Sequence, residues 1–223
     1  MFRKLFIYLV ILSKYFSRYN LNKLLNQQTK ILNEVEIKKS ILNIGSSGEL
    51  EQIVKTIKNT EIISIDIDED RKPDIVMDAT DLKFEDEKFD AIFLMEVLEH
   101  VVKPQKAIDE IYRTLKIDGI FVMSSPYIFG IHDKPYDFYR YTKYGLTYLL
   151  KNFKDVKIIP RNNYIHTVIV LIARLMKADL KRDKIMGAIL FCFILIIYPL
   201  LWLLSKSIKS DDITTGYFVI AKK

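Results

Sequence analysis

The fold is decided by residues 40–66, which read SILNIGSSGELEQIVKTIKNTEIISID. Two short runs rich in β-branched residues, 40–44 and 62–65, flank a turn that contains glycine and a helical pattern that begins near Glu49. This order predicts two parallel strands joined by a crossover helix. Glycine in the turn, at Gly45, allows the backbone to bend tightly and to come close to a ligand.

Outward from this stretch, β-rich runs continue to alternate with helical patterns. Pro104 opens a helical pattern between the fourth and fifth runs, and Asp118 with Gly119 is expected to turn the chain into the fifth. The sequence therefore predicts an α/β fold with a doubly wound, Rossmann-like sheet of seven strands. The seven candidate strands are 40–44, 62–65, 75–77, 90–95, 120–124, 156–159 and 217–221.

Ligands of open α/β sheets bind at the carboxyl ends of the strands, so the residues after each run are the candidate contacts. The second run ends in Asp66 and Ile67, about 20 residues beyond the glycine turn, where a carboxylate can accept hydrogen bonds from both hydroxyls of an adenosine ribose. The alternative to a ligand contact at Asp66 is a solvated acidic loop. The alternative at the glycine turn is that glycine is needed only for the geometry of the backbone. The first run contributes Asn43, Gly45, Ser46, Ser47 and Gly48.

The third and fourth runs also end in polar residues. Asp78, Ala79 and Thr80 follow the third run, where a short acidic side chain and backbone amides can read an adenine edge. Glu96 and His100 follow the fourth run and place ionisable groups beside a ligand bound at this edge.

Together these motifs resemble the class I S-adenosylmethionine-dependent methyltransferases, in particular the type 11 methyltransferase domain. The resemblance covers residues 40–124. It rests on ILNIG at 41–45, IISID at 62–66, DATDLKF at 78–84, FDAIFLMEVLEHV at 89–101 and EIYRTLKIDG at 110–119.

The resemblance implies a sheet whose last strand is antiparallel and a cofactor, S-adenosylmethionine, at its edge. It further implies that Gly45 cradles the methionine half of the cofactor, that Asp66 holds the ribose, and that Asp78 and Ala79 contact adenine. The chain departs from the family in having Asn43 at a position that is usually acidic. A neutral amide loses the charge-assisted pairing with the methionine amine, which is worth roughly twice a neutral hydrogen bond.

Two glycines of the family pattern are also replaced, because Ser47 and Glu49 stand where the second and third are usual and Gly48 is displaced by one position. These departures leave a catalytically degenerate binding fold as the alternative. A nicotinamide-dependent oxidoreductase is a weaker reading, since the chain has no Gly-x-Gly-x-x-Gly motif.

The candidate chemistry lies after the fifth run, where residues 125–142 are rich in aromatic and ionisable side chains. Within it, residues 132–142 resemble a His-x-x-Pro-x-Asp-x-x-Arg-x-Thr stretch of methyltransferases that accompany surface-glycan and lipid biosynthesis. We predict His132 as the general base, because its ordinary pKa lies near neutrality; a structural histidine is the alternative. Asp137 and Arg140 are expected either to orient the acceptor or to pair with each other and lock the loop. No metal ligands are predicted.

The composition points to a membrane surface rather than to nucleic acid. The net charge of +6 comes with 28 acidic residues, so the basic excess is modest. The chain has a single cysteine, Cys192, so a disulfide framework and a metal site built from cysteines are excluded. Basic residues cluster beside the apolar segments, where anionic lipid would attract them: Arg3, Lys4, Lys14, Arg18, Lys177, Lys181, Arg182, Lys184, Lys206 and Lys209.

Two apolar segments are candidate membrane contacts. Residues 1–17 form an amphipathic pattern that favours an interfacial helix over a cleaved signal peptide, because no small-residue cleavage site follows. Residues 164–176 and 185–204 are apolar, and only the second is long enough to span a bilayer. Because the flanking strands should pair in one sheet, we expect a helical hairpin that dips into one leaflet, with Pro199 bending its second arm. A helical pair packed on the body or in a homodimer is the alternative.

The predicted organisation is an N-terminal amphipathic and cap helix region (1–34), a methyltransferase domain (35–162 with 213–223) and an apolar hairpin insertion (163–212). The predicted function is methyl transfer from S-adenosylmethionine to a small or membrane-linked acceptor, such as a lipid-linked sugar, an isoprenoid or a lipid head group. The expected location is the cytoplasmic face of a membrane.

Overall fold

The computed structural model describes residues 2–34, 38–45, 48–208, 210 and 212–223. Within these residues the chain forms a seven-stranded mixed sheet in the order β3-β2-β1-β4-β5-β7-β6, with an antiparallel last strand. The strands are β1 (Lys39–Ile44), β2 (Thr60–Asp66), β3 (Ile75–Val76), β4 (Phe89–Met95), β5 (Leu115–Pro126), β6 (Lys154–Pro160) and β7 (Gly216–Lys222). The predicted α/β sheet and its reversed final strand are therefore confirmed.

Six α-helices are present in the same described part of the chain. They are α1 (Phe2–Asn33), α2 (Gly48–Val54), α3 (Pro104–Thr114), α4 (Lys143–Leu149), α5 (Tyr164–Arg174) and α6 (Lys181–Ser205). Short 3-10 helices span Glu69–Arg71, Leu98–His100 and Leu175–Lys177. The amphipathic pattern predicted for residues 1–17 belongs to one continuous helix of 32 residues, since α1 runs on to Asn33.

The first five strands pair in parallel, which places their carboxyl ends along one edge. In the register, Ile44 lies opposite Ile65, Asp66 lies opposite Val76, and Met95 lies opposite Ser124. The residues that follow these strands therefore line one edge in the order β3, β2, β1, β4, β5. This is the edge at which doubly wound sheets bind ligands.

The prediction that Asp118 and Gly119 turn the chain into the fifth strand is wrong. β5 begins at Leu115, directly after α3, so both residues lie inside the strand. Asp118 has φ +61°, and the pairing of β4 with β5 shifts register between Phe89 and Ala91. The Asp-Gly pair thus marks an irregularity in the strand, which is a common use of glycine within a sheet.

The chain divides into two compact units. One comprises residues 22–127, 132–159 and 217–223, and the other comprises residues 1–21, 128–131 and 160–216. The first unit contains the sheet, and its apolar core lies between the strands and α3, where Leu42, Ile92, Phe121 and Ile111 are fully buried.

The second unit is helical. The start of α1 packs with α5 and α6 around a buried cluster of Leu9, Ile169, Ala173, Met176, Ala188, Phe191 and Ile194. α6 comes close to the turn after α5 at Gly187, where a Cβ atom would lie 2.6 Å from Leu175 Cβ. Helix α6 continues through Pro199 and is, among the described helices, the one long and apolar enough to cross a membrane.

Candidate active site

The first feature of the edge is the turn after β1. Gly45 has φ +93°, a conformation that side chains with a Cβ rarely adopt, and its N–H donates to Ile65 O at 2.8 Å. A Cβ atom at this position would overlap a Val97 methyl group. Glycine is therefore required here by the backbone conformation and by the neighbouring side chain, and the bare backbone that it leaves suits the close approach of a cofactor.

The side chain of Asn43 stabilises this turn. Its side chain is buried, and Nδ2 donates to Gly45 O at 3.1 Å. Gly48 starts α2 with φ +73°, and no described heavy atom lies within 4 Å of the position a Cβ would take. Two predicted contacts, Ser46 and Ser47, lie outside the described residues.

Asp66 stands at the end of β2 with its side chain 8% exposed. Its Oδ1 accepts from the N–H of Asp68 at 3.0 Å, and its Oδ2 lies 3.9 Å from Arg71 Nη1. The carboxylate is thus held at the strand end with a cation nearby. Ile67 is 72% exposed, which places an apolar side chain beside this carboxylate.

The end of the next strand carries the residues that are predicted to contact adenine. Met77 N–H donates to Asp66 O at 2.9 Å and so ties this segment to β2. Asp78 Oδ1 accepts from Thr80 N–H at 2.8 Å, which shapes a tight turn around the buried Ala79. The structure therefore places Asp66 and Asp78 on adjoining segments of one edge.

Glu96 is fixed across the ends of β4 and β5. It adopts φ +58°, its N–H donates to Ser124 O at 3.0 Å, and its Oε1 accepts from Ser124 Oγ at 3.0 Å. This positive φ turns the chain sharply out of β4 and into the 3-10 helix Leu98–His100.

That 3-10 helix brings Glu99 and His100 to a second histidine. Glu99 is fully buried, and neither of its carboxylate oxygens has a hydrogen-bond partner. Its Oε1 lies 3.8 Å from His100 Nε2 and 3.7 Å from His132 Nε2. Burial raises the pKa of Glu99 above its ordinary value. The two imidazole rings meet edge to face with their centroids 5.0 Å apart.

Asp137 and Arg140 pair with each other. Arg140 Nη1 donates to Asp137 Oδ1 at 2.6 Å, and Nη2 donates to Oδ2 at 2.7 Å. The hydrogen bonds from Arg140 lower the pKa of Asp137 to about 2. The backbone N–H of His132 donates to the same carboxylate at 2.9 Å, and His132 Nδ1 lies 3.4 Å from it. The pair thus holds the loop that carries His132, and an additional role at the acceptor stays a prediction.

The site reaches from the cofactor edge to these histidines through Asp133. Its Oδ2 lies 3.9 Å from His100 Nε2 and 4.0 Å from Arg71 Nη2, next to Asp66. Sequence analysis did not identify Glu99 as a functional residue. The available signal was its place in Glu-x-x-Glu-His directly after a strand, but its burial and its approach to His132 depend on a loop 33 residues away.

Comparison with known proteins agrees with this geometry. Residues 42–123 match the family model described as methyltransferase domain. A stretch of 55 residues is 44% identical to demethylmenaquinone methyltransferase of Clavibacter sepedonicus; it covers 25% of this chain and 22% of that protein. The chain therefore spans about a fifth of the length of the curated relative that it matches.

Solved structures share the fold at low sequence identity. A SAM-dependent methyltransferase from Archaeoglobus fulgidus superposes with a TM-score of 0.60 at 20% identity, over 93% of this chain and 95% of that chain. Phosphoethanolamine N-methyltransferase 2 of Haemonchus contortus, in complex with phosphomonomethylethanolamine and S-adenosylhomocysteine, gives a TM-score of 0.57 at 14% identity, over 88% and 52% of the respective chains.

The fold is that of S-adenosylmethionine-dependent methyltransferases, and S-adenosylmethionine is the cofactor of that class. The match to the methyltransferase domain model is confined to residues 42–123. The residues present fit this cofactor, since Gly45 leaves a cradle that a Cβ would fill and Asp66 holds a carboxylate at the end of β2.

Proposed function

We propose that the protein transfers the methyl group of S-adenosylmethionine to an acceptor carried by a membrane, at the membrane's cytoplasmic face. The observation that carries the methyl-transfer part is the alignment of Gly45, Asp66 and Asp78 at the ends of adjacent strands, beside the ionisable cluster after β4. Methyl transfer is an in-line displacement, so the protein's main task is to hold the acceptor close to the sulfonium carbon and aligned with it.

Each predicted cofactor contact has a place in this proposal. Asp66 accepts hydrogen bonds from the ribose hydroxyls, and the exposed Ile67 packs against the adenine. Asp78, Ala79 and Thr80 read the adenine edge from the next segment. Gly45, Asn43 and Gly48 receive the methionine half, and Glu96 and His100 line the site on the side of β4.

A hydroxyl acceptor must also lose a proton, and we assign this step to His132. Its ring lies between two carboxylates, with Nδ1 3.4 Å from Asp137 and Nε2 3.7 Å from Glu99. Replacement by alanine, His132→Ala, is expected to cut turnover at least tenfold. Calorimetric titration with S-adenosylhomocysteine should find its affinity unchanged. Undiminished turnover of the variant would remove His132 from the mechanism.

The membrane part of the proposal rests on the helical unit. In the most apolar 18-residue stretch of α6, only 22% is buried. The exposed side chains of this helix include Phe193, Ile196 and Leu200. A protein surface of this apolar character is energetically unfavourable in water, and a lipid interior would cover it. Trp202 lies near the end of the helix with Lys206 Nζ 3.5 Å above its ring, an arrangement that suits the boundary between acyl chains and head groups.

Helix α1 adds a second apolar surface with cations beside it. Its exposed side chains include Leu5, Ile7, Tyr8 and Ile11. Arg3, Lys4, Lys14 and Arg18 lie along the same helix and complement anionic lipid. A membrane-borne isoprenoid acceptor agrees with the name of the partial relative from Clavibacter sepedonicus, a demethylmenaquinone methyltransferase.

The proposal is tested by incubating membranes that contain the protein with S-adenosylmethionine labelled in its methyl group and dividing the label among lipid, polysaccharide and protein. We expect label in the lipid or lipid-linked fraction, and at least tenfold less label with the Asp66→Asn variant when the cofactor concentration is below its dissociation constant. Label confined to protein would contradict the acceptor class. Failure of the purified protein to bind S-adenosylmethionine or S-adenosylhomocysteine at millimolar concentration would instead favour a catalytically degenerate binding protein.

A further inference from the structure

We propose that Glu99, His100 and His132 bind a divalent transition-metal ion through Glu99 Oε1 and the Nε2 atoms of the two histidines. The three ligand-type atoms lie within 4.8 Å of one another. The role of the ion at the acceptor rests on the proposed function, whereas its binding does not.

The first argument is the position of Glu99. Its side chain is fully buried, and both carboxylate oxygens have no hydrogen-bond partner. A buried carboxylate without such partners is costly in its charged form, so it either takes up a proton or binds a cation that compensates its charge. The nearest imidazole nitrogens, at 3.7 and 3.8 Å, are beyond hydrogen-bond distance. An ion bound between these atoms supplies the charge compensation and the contacts that the carboxylate needs.

The second argument is the orientation of the histidine rings by their outer partners. His100 Nδ1 lies 2.6 Å from Tyr136 O, and because a carbonyl only accepts, this nitrogen carries the proton. The Nε2 atom then presents its lone pair toward Glu99. His132 Nδ1 faces the carboxylate of Asp137 at 3.4 Å, which likewise favours a proton on Nδ1. Histidines that bind metals are usually held in this way, with the other ring nitrogen donating to a carbonyl or a carboxylate.

The partners of the second histidine are themselves fixed. Asp137 is clamped by two hydrogen bonds from Arg140, at 2.6 and 2.7 Å. The backbone N–H groups of Phe138 and Tyr139 donate to Glu99 O at 3.0 and 3.2 Å, which ties the loop of His132 to the 3-10 helix of Glu99 and His100. The loop and the helix are thus held together before any ion binds.

The distances and the ligand types suggest which ions fit. Bonds of about 2.1 Å place neighbouring ligand atoms about 3.0 to 3.5 Å apart. The Glu99 Oε1 atom already lies 3.8 and 3.7 Å from the two Nε2 atoms, and all three atoms lie within 4.8 Å of one another, so side-chain movements of about an ångström bring them onto one ion. Two imidazoles and one carboxylate suit Zn²⁺, Fe²⁺, Co²⁺ and Mn²⁺ better than Mg²⁺ or Ca²⁺. Such a set leaves coordination positions open for the oxygen of an acceptor.

A metal ion at this position changes the part that His132 plays. The Nε2 atom would then be a ligand instead of a general base, and the ion would supply the means of lowering the pKa of an acceptor hydroxyl. With an ion bound, Glu99 and His100 would act on the acceptor and would not serve only to line the cofactor site. The two assignments of His132 differ in a measurable way, because only a ligand is needed for metal binding.

The experiment uses the full-length protein without an affinity tag, stripped with a chelator and titrated with Co²⁺ and Mn²⁺. We expect one ion per chain, a visible ligand-field spectrum with Co²⁺, and at least a tenfold loss of affinity in Glu99→Gln and His132→Gln. The matched control is His166→Gln, which changes the third histidine of the chain; its Nε2 lies 3.2 Å from the Tyr198 hydroxyl oxygen. This control is expected to bind metal as the wild type does.

Titration with S-adenosylhomocysteine on the same samples reports folding and separates the two proposals. Cofactor binding by the wild type without stoichiometric metal binding would overturn the metal site, as would unchanged metal affinity in folded Glu99→Gln and His132→Gln. Metal binding with no cofactor binding would leave the metal site standing and refute the proposed methyl transfer.

Discussion

At the scale of single residues, the proposed ribose contact depends on the charge of Asp66. In Asp66→Asn, hydrogen bonds to an ionised acceptor, each worth about 1.5–3 kcal/mol, are replaced by weaker neutral ones. We expect the dissociation constant for S-adenosylhomocysteine to rise at least tenfold by calorimetry. Asp70→Asn is the matched control, since Asp70 is exposed four residues further on. Equal affinities of the two variants would argue against a ribose contact at Asp66.

Gly45 is the residue at which the backbone itself is decisive. In Gly45→Ala, the methyl group would overlap the side chain of Val97 while the backbone stays at φ +93°. We expect the free energy of unfolding in urea to fall by about 1–3 kcal/mol, together with cofactor affinity. Gly130→Ala is the control, because no described atom lies within 4 Å of its Cβ position.

The double variant Gly45→Ala with Val97→Ala separates the two costs. Removing the Val97 methyl groups relieves the overlap but leaves the strained φ, so only part of the stability should return. A Gly45→Ala protein as stable as the wild type would show that the turn differs from the one described.

At the scale of elements, α3 is fastened to the segment before β4 by one arginine. Arg113 donates to Leu82 O and Phe84 O, each at 2.8 Å, and pairs with Glu110 and Asp86. In Arg113→Ala, two carbonyls lose their donor, and we expect the free energy of unfolding to fall by about 1–3 kcal/mol. Lys106→Ala, on an exposed position of the same helix, should leave stability nearly unchanged.

The same contact predicts a pH dependence. Hydrogen bonds from Arg113 lower the pKa of Glu110 in the folded state below its ordinary value of 4.5. The stabilisation is therefore present above that value and is lost as the pH falls through the folded-state pKa. Urea titrations between about pH 6 and pH 3 should show a smaller acid-induced loss in Arg113→Ala than in the wild type. Parallel curves for the two proteins would contradict this linkage.

At the scale of the whole molecule, the net charge of +6 and the exposed apolar helices together predict affinity for anionic membranes. We expect the protein to sediment with vesicles that contain phosphatidylglycerol more than with neutral ones, and to be partly released by salt, which screens the charges. High-salt or carbonate washing should leave most of the protein on native membranes, since apolar burial is not screened.

A matched pair of substitutions tests which surface is responsible. Ile196 on α6 is 77% exposed and Ile117 on β5 is 65% exposed, so each can be changed to glutamate without opening a core. Ile196→Glu should weaken vesicle binding severalfold, because a charge would have to enter the apolar phase, whereas Ile117→Glu should not. Equal binding of both variants, or unchanged membrane distribution after deletion of residues 164–210, would contradict the anchor.

Much of the molecule was predictable because the relevant patterns are local. The strand predicted at residues 90–95 is observed as Phe89–Met95, and the strand predicted at residues 40–44 begins one residue earlier, at Lys39. Alternation of β-rich and helical runs is a property of neighbouring residues, as is the glycine at the end of β1. The turn predicted at Asp118 failed, since an Asp-Gly pair has the same local appearance in a turn and in an irregular strand.

By itself, the sequence determined the succession of strands and helices along the chain, the carboxylate at the end of β2 and the glycine bend at Gly45, because periodicity and spacing along the chain encode them. Only the tertiary structure decided that Glu99 is buried against His132 and which face of α6 is packed. Burial and the meeting of side chains depend on segments that are distant in sequence, so no local pattern could specify them.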